Sequence, residues 1–274
     1  MSLSVGVFGI DGRQTNTTLL PEVFNSAYRP DVIHKVCVNM LSHRFQRQGR
    51  YPAAGEIVSA ESRNTGLGMA RIARARGDGF PRAGQAAGVA GVRHGRVAHP
   101  PESWKKIYKK VNKKEKNLAL RSAIAATARK DLIEKRGHKL GNVSNFPVVV
   151  SSDIESISKA KDLKKILISL GMSEDLHRAN SSRKVRSGLA RRRGRKNRVG
   201  YSALVVTGSE NDKICQVSGS LPGVHVRSVR KLSVLDLAPG SKQIRLTIYS
   251  ENAIEKLKEV RPVQYRVSEM GAYE

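Results

Sequence analysis

The chain has 274 residues, with 50 Lys and Arg against 23 Asp and Glu, a formal net charge of +27 and an isoelectric point near 10.6. An excess of that size repels itself, so a compact fold gains from a polyanionic partner, and nucleic acid is the default because each neutralised phosphate releases counterions. An anionic membrane is disfavoured: aromatics are only 5% of the residues, no basic amphipathic helix with bulky anchors can be traced, and no run of about 18 apolar residues exists.

The two cysteines, Cys37 and Cys215, lie far apart in apolar settings without CxxC spacing. A zinc site and a disulfide framework are therefore not expected; two buried free thiols in a reducing cytoplasm are. The N-terminus lacks a signal-peptide layout, which also points to the cytosol.

In chain order, Leu3 to Phe8 reads as a strand, turned by Gly9 to Gly12 into a second short stretch ending at Leu20. The spacing around Ile10 and Asp11 suits a hairpin better than a phosphate cradle. Asp31 is placed as the cap of a helix with Val32, Ile33, Val36, Met40 and Leu41 along one side, stopping near Phe45.

Residues 46 to 104 differ from the rest. Ten of the 24 glycines fall here, no apolar period can be followed, and no acid occurs between Asp78 and Glu102 while Arg82, Arg93 and Arg96 recur. So long a structureless stretch inside a domain makes sense as an extension stabilised by an outside partner; a linker between two domains is the alternative.

Order resumes from Trp104. Asn112 and Glu115 have capping-box spacing, and Leu118, Leu120, Ala123, Ile124, Thr127 and Ala128 continue a long helix that Gly137 ends. Pro147 to Val150 reads as a buried parallel strand, and the next helix runs from Ala160 to Leu170, stopped by Gly171. Residues 176 to 209 contain no acid. The strand Tyr201 to Thr207 follows, then apolar stretches at Val224 to Val226 and Ile244 to Tyr249. Ser250 caps a last helix carrying Ala253, Ile254 and Leu257. Alternating strands and helices predict an α/β layered domain with a mostly parallel sheet, built from residues 1–45 and 105–274 on both flanks of the extension.

Enzyme equipment is missing. There is no GxxxxGK[ST], and Gly66 and Gly68 have no strand before them. His94 and His99 have no Cys or carboxylate cluster nearby, so RNA contact is the simpler role. Ser151, Ser152 and Asp153 follow a strand but are better explained as a helix cap than as catalytic groups. No cofactor, metal or catalytic set is expected.

The basic segments carry the functional signal. Arg183, Arg186, Arg191, Arg192, Arg193, Arg195 and Arg198, with Lys184 and Lys196, crowd beside a strand. Arginine's planar fork matches phosphate and its face stacks on unpaired bases. Lys105, Lys106, Lys109, Lys110, Lys113, Lys114 and Lys116, interleaved with Trp104 and Tyr108, form another phosphate-facing band, whose aromatics could equally anchor a core.

The stretches Ala60 to Gly66, Ala70 to Gly77, Arg82 to Gln85, Gly95 to Pro101, Asn117 to Ala128, Arg136 to His138, Pro147 to Val150, Leu237 to Gly240 and Arg245 to Ala253 resemble, in order and spacing, the archaeal and eukaryotic universal large-subunit ribosomal protein four family. The resemblance covers nearly the whole chain. It implies a Rossmann-like domain on the outer side of the large subunit, with a long extended loop that threads between rRNA helices to the polypeptide exit tunnel. On that basis the arm is 46–104, with its tip around Thr65 to Arg82.

Arg44, Arg47, Arg50, Arg63, Arg82, Arg93, His94, Arg96 and His99 are then expected on rRNA, together with Lys105, Lys106, Lys109, Lys110 and the block from Arg183 to Arg198. Arg71, Arg74 and Arg76 are expected nearest the tunnel. The implied partners are large-subunit rRNA, neighbouring ribosomal proteins and the nascent chain, without a membrane or a second copy. Ser187 to Ala190 depart from the family's more basic pattern. No long lysine-rich C-terminal extension is present, which favours an archaeal source. An RNA-modifying enzyme and an architectural DNA-binding protein are the rival classes.

Overall fold

The computed structural model describes residues 4–258 except 142, 144, 211, 212 and 218; Leu3, placed in the first strand from sequence, lies outside them. The chain divides into two compact units, Met1–Leu41 with Lys110–Glu274, and Ser42–Lys109.

In the first unit, β1 (Ser4–Phe8) and β2 (Gln14–Leu19) form the expected antiparallel hairpin, with Ser4 opposite Leu19. Its turn needs Gly12, whose φ is +76° and whose Cβ would stand 2.5 Å from the Ser169 carbonyl oxygen. Helix α1 spans Pro30–Ser42. Asp31 does not cap it: Pro30 takes the first position, where no N–H needs a partner, and the Asp31 carboxylate turns to Arg29 at 2.7 Å. The helix also stops at Ser42, short of Phe45.

The second unit contains β3 (Ala60–Ser62) and β4 (Ala73–Ala75), so the glycine-rich segment is not without regular structure.

Back in the first unit, α2 (Lys113–Ala126) is capped by Asn112, whose side chain accepts from the Lys114 N–H at 3.0 Å. Glu115 does not complete a box; it pairs with Lys35 at 2.8 Å. The long helix read from sequence is broken. The Thr127 hydroxyl bonds back to the Ile124 carbonyl at 2.7 Å and meets the Tyr249 hydroxyl at 3.2 Å, and a separate α3 (Lys130–Arg136) follows, closed by Gly137.

Next come β5 (Val148–Val150), α4 (Ala160–Ser169) and α5 (Ser173–Ser181), the last unread from sequence. A two-residue hairpin of β6 (Lys184–Val185) and β7 (Asn197–Arg198) encloses α6 (Gly188–Arg192). The chain continues through β8 (Leu204–Thr207), α7 (Ile214–Val217), β9 (His225–Ser228), α8 (Val234–Leu237), β10 (Thr247–Ser250) and α9 (Glu251–Leu257). Ser250 caps α9 as expected, accepting from the Ala253 N–H at 3.1 Å.

Six strands form one sheet in the order β2-β1-β5-β10-β8-β9, and every pairing from β1 to β9 is parallel. Val149, Leu204, Val206 and Tyr249 face a cluster with α1, α2, α8 and α9. Val148, Val150, Val205 and Ile248 face the opposite cluster with α3, α4 and α7. Central strands buried on both faces are why these segments read as unbroken apolar runs. Each large side chain so buried contributes roughly 1.5–3 kcal/mol, and all members of both clusters lie outside 42–109.

Candidate nucleic-acid interface

Two segments hold most of the excess charge. Residues 42–109 carry 13 Lys and Arg against 4 Asp and Glu, a net +9, and residues 183–198 carry 9 against none, another +9. Together these 84 residues supply +18 of the +27. The remaining 190 residues are thus nearly ordinary in charge, and the polyanion-seeking property is local.

The 42–109 unit is organised by backbone rather than by a core. Ala60 lies opposite Ala75 in the β3–β4 pair, and Arg74 bridges on its other side to Ala86. Among the described residues Ala87 is its only buried apolar side chain. Ten large apolar residues are exposed in it, Phe45, Tyr51, Phe80 and Trp104 among them, so it cannot be held by burial within itself. Gly66 and Gly68, with φ of +92° and +66°, shape the β3–β4 loop and face open space.

The unit closes where its two ends meet. The Ser42 hydroxyl accepts from the Lys109 N–H at 3.0 Å, and His43 Nε2 donates to the Lys109 carbonyl at 2.8 Å. The His43 ring stacks on Tyr108 at 3.9 Å. Trp104 and Tyr108 are exposed, so they are not core anchors, and regular structure resumes only at Lys113.

Every site residue expected from sequence is exposed except Arg50 and Arg74. Those two donate inward, to the carbonyls of Ala54 at 2.6 Å and Gly84 at 2.9 Å. Arg76 pairs with Glu61 and Arg96 with Glu56, while Arg71 stands exposed. Lys105, Lys106 and Lys109 belong to the second unit and Lys110 to the first. In the hairpin, Lys184 lies opposite Arg198 and Val185 opposite Asn197, with the Arg186 N–H on the Lys196 carbonyl at 2.8 Å. The Ser182 hydroxyl accepts from the Gly200 N–H at 2.8 Å and ties its base.

A buried polar network escaped sequence reasoning. Asp175 accepts from His138 Nδ1 at 3.0 Å, Arg178 Nε at 2.9 Å, the Ser202 hydroxyl at 2.7 Å and the Lys139 N–H at 3.2 Å. Beside it, the Arg245 guanidinium donates to the carbonyls of Ser202, Ala203 and Gly223 and to His225 Nδ1. Burial drives His138 below the usual imidazole range, against the pull of Asp175. Burial would raise Asp175, but the His138 and Ser202 hydrogen bonds and nearby Arg178 hold it below the usual carboxylate range.

Serine, histidine and aspartate are the residue types of a hydrolytic triad, but their order is wrong. Ser202 bonds to the aspartate, and His138 Nε2 is occupied by the Leu246 N–H at 3.3 Å, so no base reaches a nucleophile. Ser151 does not cap a helix either; its hydroxyl turns to Asp153 at 3.2 Å above a short 3-10 turn. Cys37 is buried, whereas Cys215 is only half-buried because it lies on the short, partly exposed α7. Among the described residues no three His, Cys, Asp or Glu are grouped to hold a metal, and His94 and His99 stand exposed.

Residues 17–260 match the model of the ribosomal protein L4/L1 family. The large ribosomal subunit protein uL4 of Pyrobaculum aerophilum is 42% identical over 92% of this chain and 88% of its own. The proteins of the same name from Methanococcus vannielii and Methanosphaera stadtmanae are each 40% identical, over 94% and 92% of this chain and 99% and 95% of theirs. All three organisms are archaea. With the family matched over residues 17–260 and relatives 40–42% identical over at least 92% of its length, this chain belongs to the ribosomal protein L4/L1 family.

Proposed function

We propose that this chain is a structural constituent of the cytoplasmic large ribosomal subunit, clamping rRNA with two basic elements on a Rossmann-like domain. It is a ribosomal protein and not an enzyme. One observation carries the reading: the 42–109 unit combines a net +9 with ten exposed large apolar residues, and among the described residues its one buried apolar side chain is the small Ala87. Charge of that density favours phosphates. Exposed aromatics and arginines offer stacking faces to unpaired bases. Ordering a backbone costs roughly 1–2 kcal/mol per residue, so rRNA packing is what holds the arm in place within the subunit.

In this reading the 183–198 hairpin anchors the domain to rRNA. The β3–β4 loop, which carries Arg71, lies at the tip of an rRNA-embedded loop and borders the exit tunnel and the nascent chain. Neighbouring large-subunit proteins complete its surroundings. The test is cosedimentation of the native protein with large subunits at high salt, together with RNA affinity of the free chain. Stable cosedimentation and a loss of about 10³-fold in affinity between 50 and 200 mM salt are expected. A flat salt response, or preference for duplex DNA over structured RNA in competition, would overturn it.

A further inference from the structure

In an open parallel sheet, ligands seat at the carboxyl ends of strands where neighbouring connections leave toward opposite faces. This sheet has such a place. The chain leaving β10 enters α9, whose Ala253, Ile254 and Leu257 join the cluster on one face. The chains leaving the flanking β5 and β8 run to Ile154 and to Ile214 and Val217, in the cluster on the other face. A crevice at the ends of β5, β10 and β8 therefore follows from the topology.

Glu155 fills it. Its Oε1 accepts from the Gly208 N–H at 2.8 Å and from the Ser250 hydroxyl at 2.5 Å, and its Oε2 accepts from Asn252 Nδ2 at 2.9 Å. One carboxylate thus bonds donors at the carboxyl ends of two separate strands, β8 and β10, while standing on the connection from a third. Two of the donors, Gly208 and Ser250, are positioned by contacts other than those to the glutamate. A Cβ on Gly208 would come within 2.9 Å of the Asn252 Cβ, so only glycine lets that peptide approach. Lys256 Nζ holds the same residue's carbonyl at 2.8 Å, and Ser250 is fixed by capping Ala253.

We propose that these three donors form a carboxylate-recognition cradle, that Glu155 is its internal ligand, and that removing the Glu155 side chain opens a site for a free monocarboxylate. The two-oxygen pattern, two bonds on one oxygen and one on the other, is that of a planar carboxylate. The connections after β5, β8 and β10 are locked together by it, which closes the crevice to outside anions.

The test is thermal unfolding of the full chain, wild type and Glu155→Ala, in sodium formate against sodium chloride at equal ionic strength. The variant is expected to melt roughly 5 °C or more below wild type. Formate should restore at least half of that loss in a saturable manner, since it binds only the folded state. Wild type and Glu155→Gln, whose cradles stay filled, should show no formate-specific rise. Should Glu155→Ala fail to fold in chloride, recovery of a cooperative transition in formate supports the cradle equally. Absence of formate rescue in either case overturns it. So does an equal formate effect in wild type, which would mark anion binding to the basic segments, and so does rescue by phosphate alone.

Discussion

His138 donates its Nδ1 proton to Asp175 Oδ1 across 3.0 Å, and neither side chain reaches solvent. The tautomer follows from the neighbour on the other side, because Nε2 must accept from the Leu246 N–H entering β10. A helix-borne aspartate is thereby tied to the sheet through a neutral imidazole. Asp175→Ala would leave His138, Ser202 and the Lys139 N–H without an acceptor and Arg178 without its carboxylate. Breaking a buried pair from one side costs about 3–5 kcal/mol. A urea denaturation midpoint within experimental error of wild type would remove this network from the stabilising interactions.

The imidazoles also set the response to acid. Burial, with Arg245 and Arg227 nearby, pushes His225 down from 6.5 to about 4, and His138 is lowered as well. Both bind a proton less tightly folded than unfolded, so as pH falls the unfolded chain is protonated first. Their contribution is complete above about 6.5 and declines below it, for His225 down to about 4. Asp175, held low, adds a further loss below the ordinary carboxylate range. His225→Asn keeps an acceptor for Arg245 without a titrating ring. It should flatten the fall in stability between pH 6.5 and 4.5 by up to about 2 kcal/mol, after allowance for partial exposure. Parallel pH profiles for the two proteins would refute the assignment.

The sheet-bearing unit should fold without the arm. Both apolar clusters exclude residues 42–109, and the unit's own ends are already bridged where Asn39 Nδ2 meets the Lys110 carbonyl at 3.4 Å and Lys35 meets Glu115. Replacing Gln48 to Pro101 by a short Gly/Ser bridge should preserve a single cooperative transition with a midpoint near wild type, since loop length enters closure entropy only logarithmically. A broad, non-cooperative melt by circular dichroism would show that the arm contributes to the core.

Charge removal should separate the two basic elements. Arg191, Arg192, Arg193 and Arg195 are exposed on the hairpin, and changing all four to Ala should cut incorporation into large subunits several-fold. Arg71, Arg74 and Arg76 are not equivalent to them: Arg74 is turned onto Gly84 and Arg76 is paired with Glu61. Changing these three is expected to leave subunit yield nearly normal while altering passage of stalling peptides or binding of tunnel drugs. Equal incorporation defects in gradient profiles would make the tip another anchor.

What could be read from sequence was local. The β-branched run Val148 to Val150 is a central strand, and the Asn112 and Ser250 caps depend on residues two or three positions away. Helix α5 is hidden in the sequence because its apolar face is short, only Leu176 and Ala179 with buried Asp175 beside them. The Asp175 network joins residues 27 to 37 positions apart, and the Glu155 bonds span 53 to 97. Such pairings are decided by topology, and no local pattern announces them. Arg245 looks like a surface charge in sequence, but three carbonyls near the sheet edge need its fork.

The pairing of β1 with β5 sets a timetable for synthesis. Val7 lies beside Val149, so 142 residues of chain separate the two halves of that ladder (149 − 7). At about 5–20 residues per second, roughly 7–28 s pass between making one strand and making the other. The whole 42–109 segment, with its +9 charge, is translated inside that interval. The newborn protein therefore shows its most adhesive surface before its sheet is able to close, and the order of emergence, more than final stability, governs when it is most open to wrong partners.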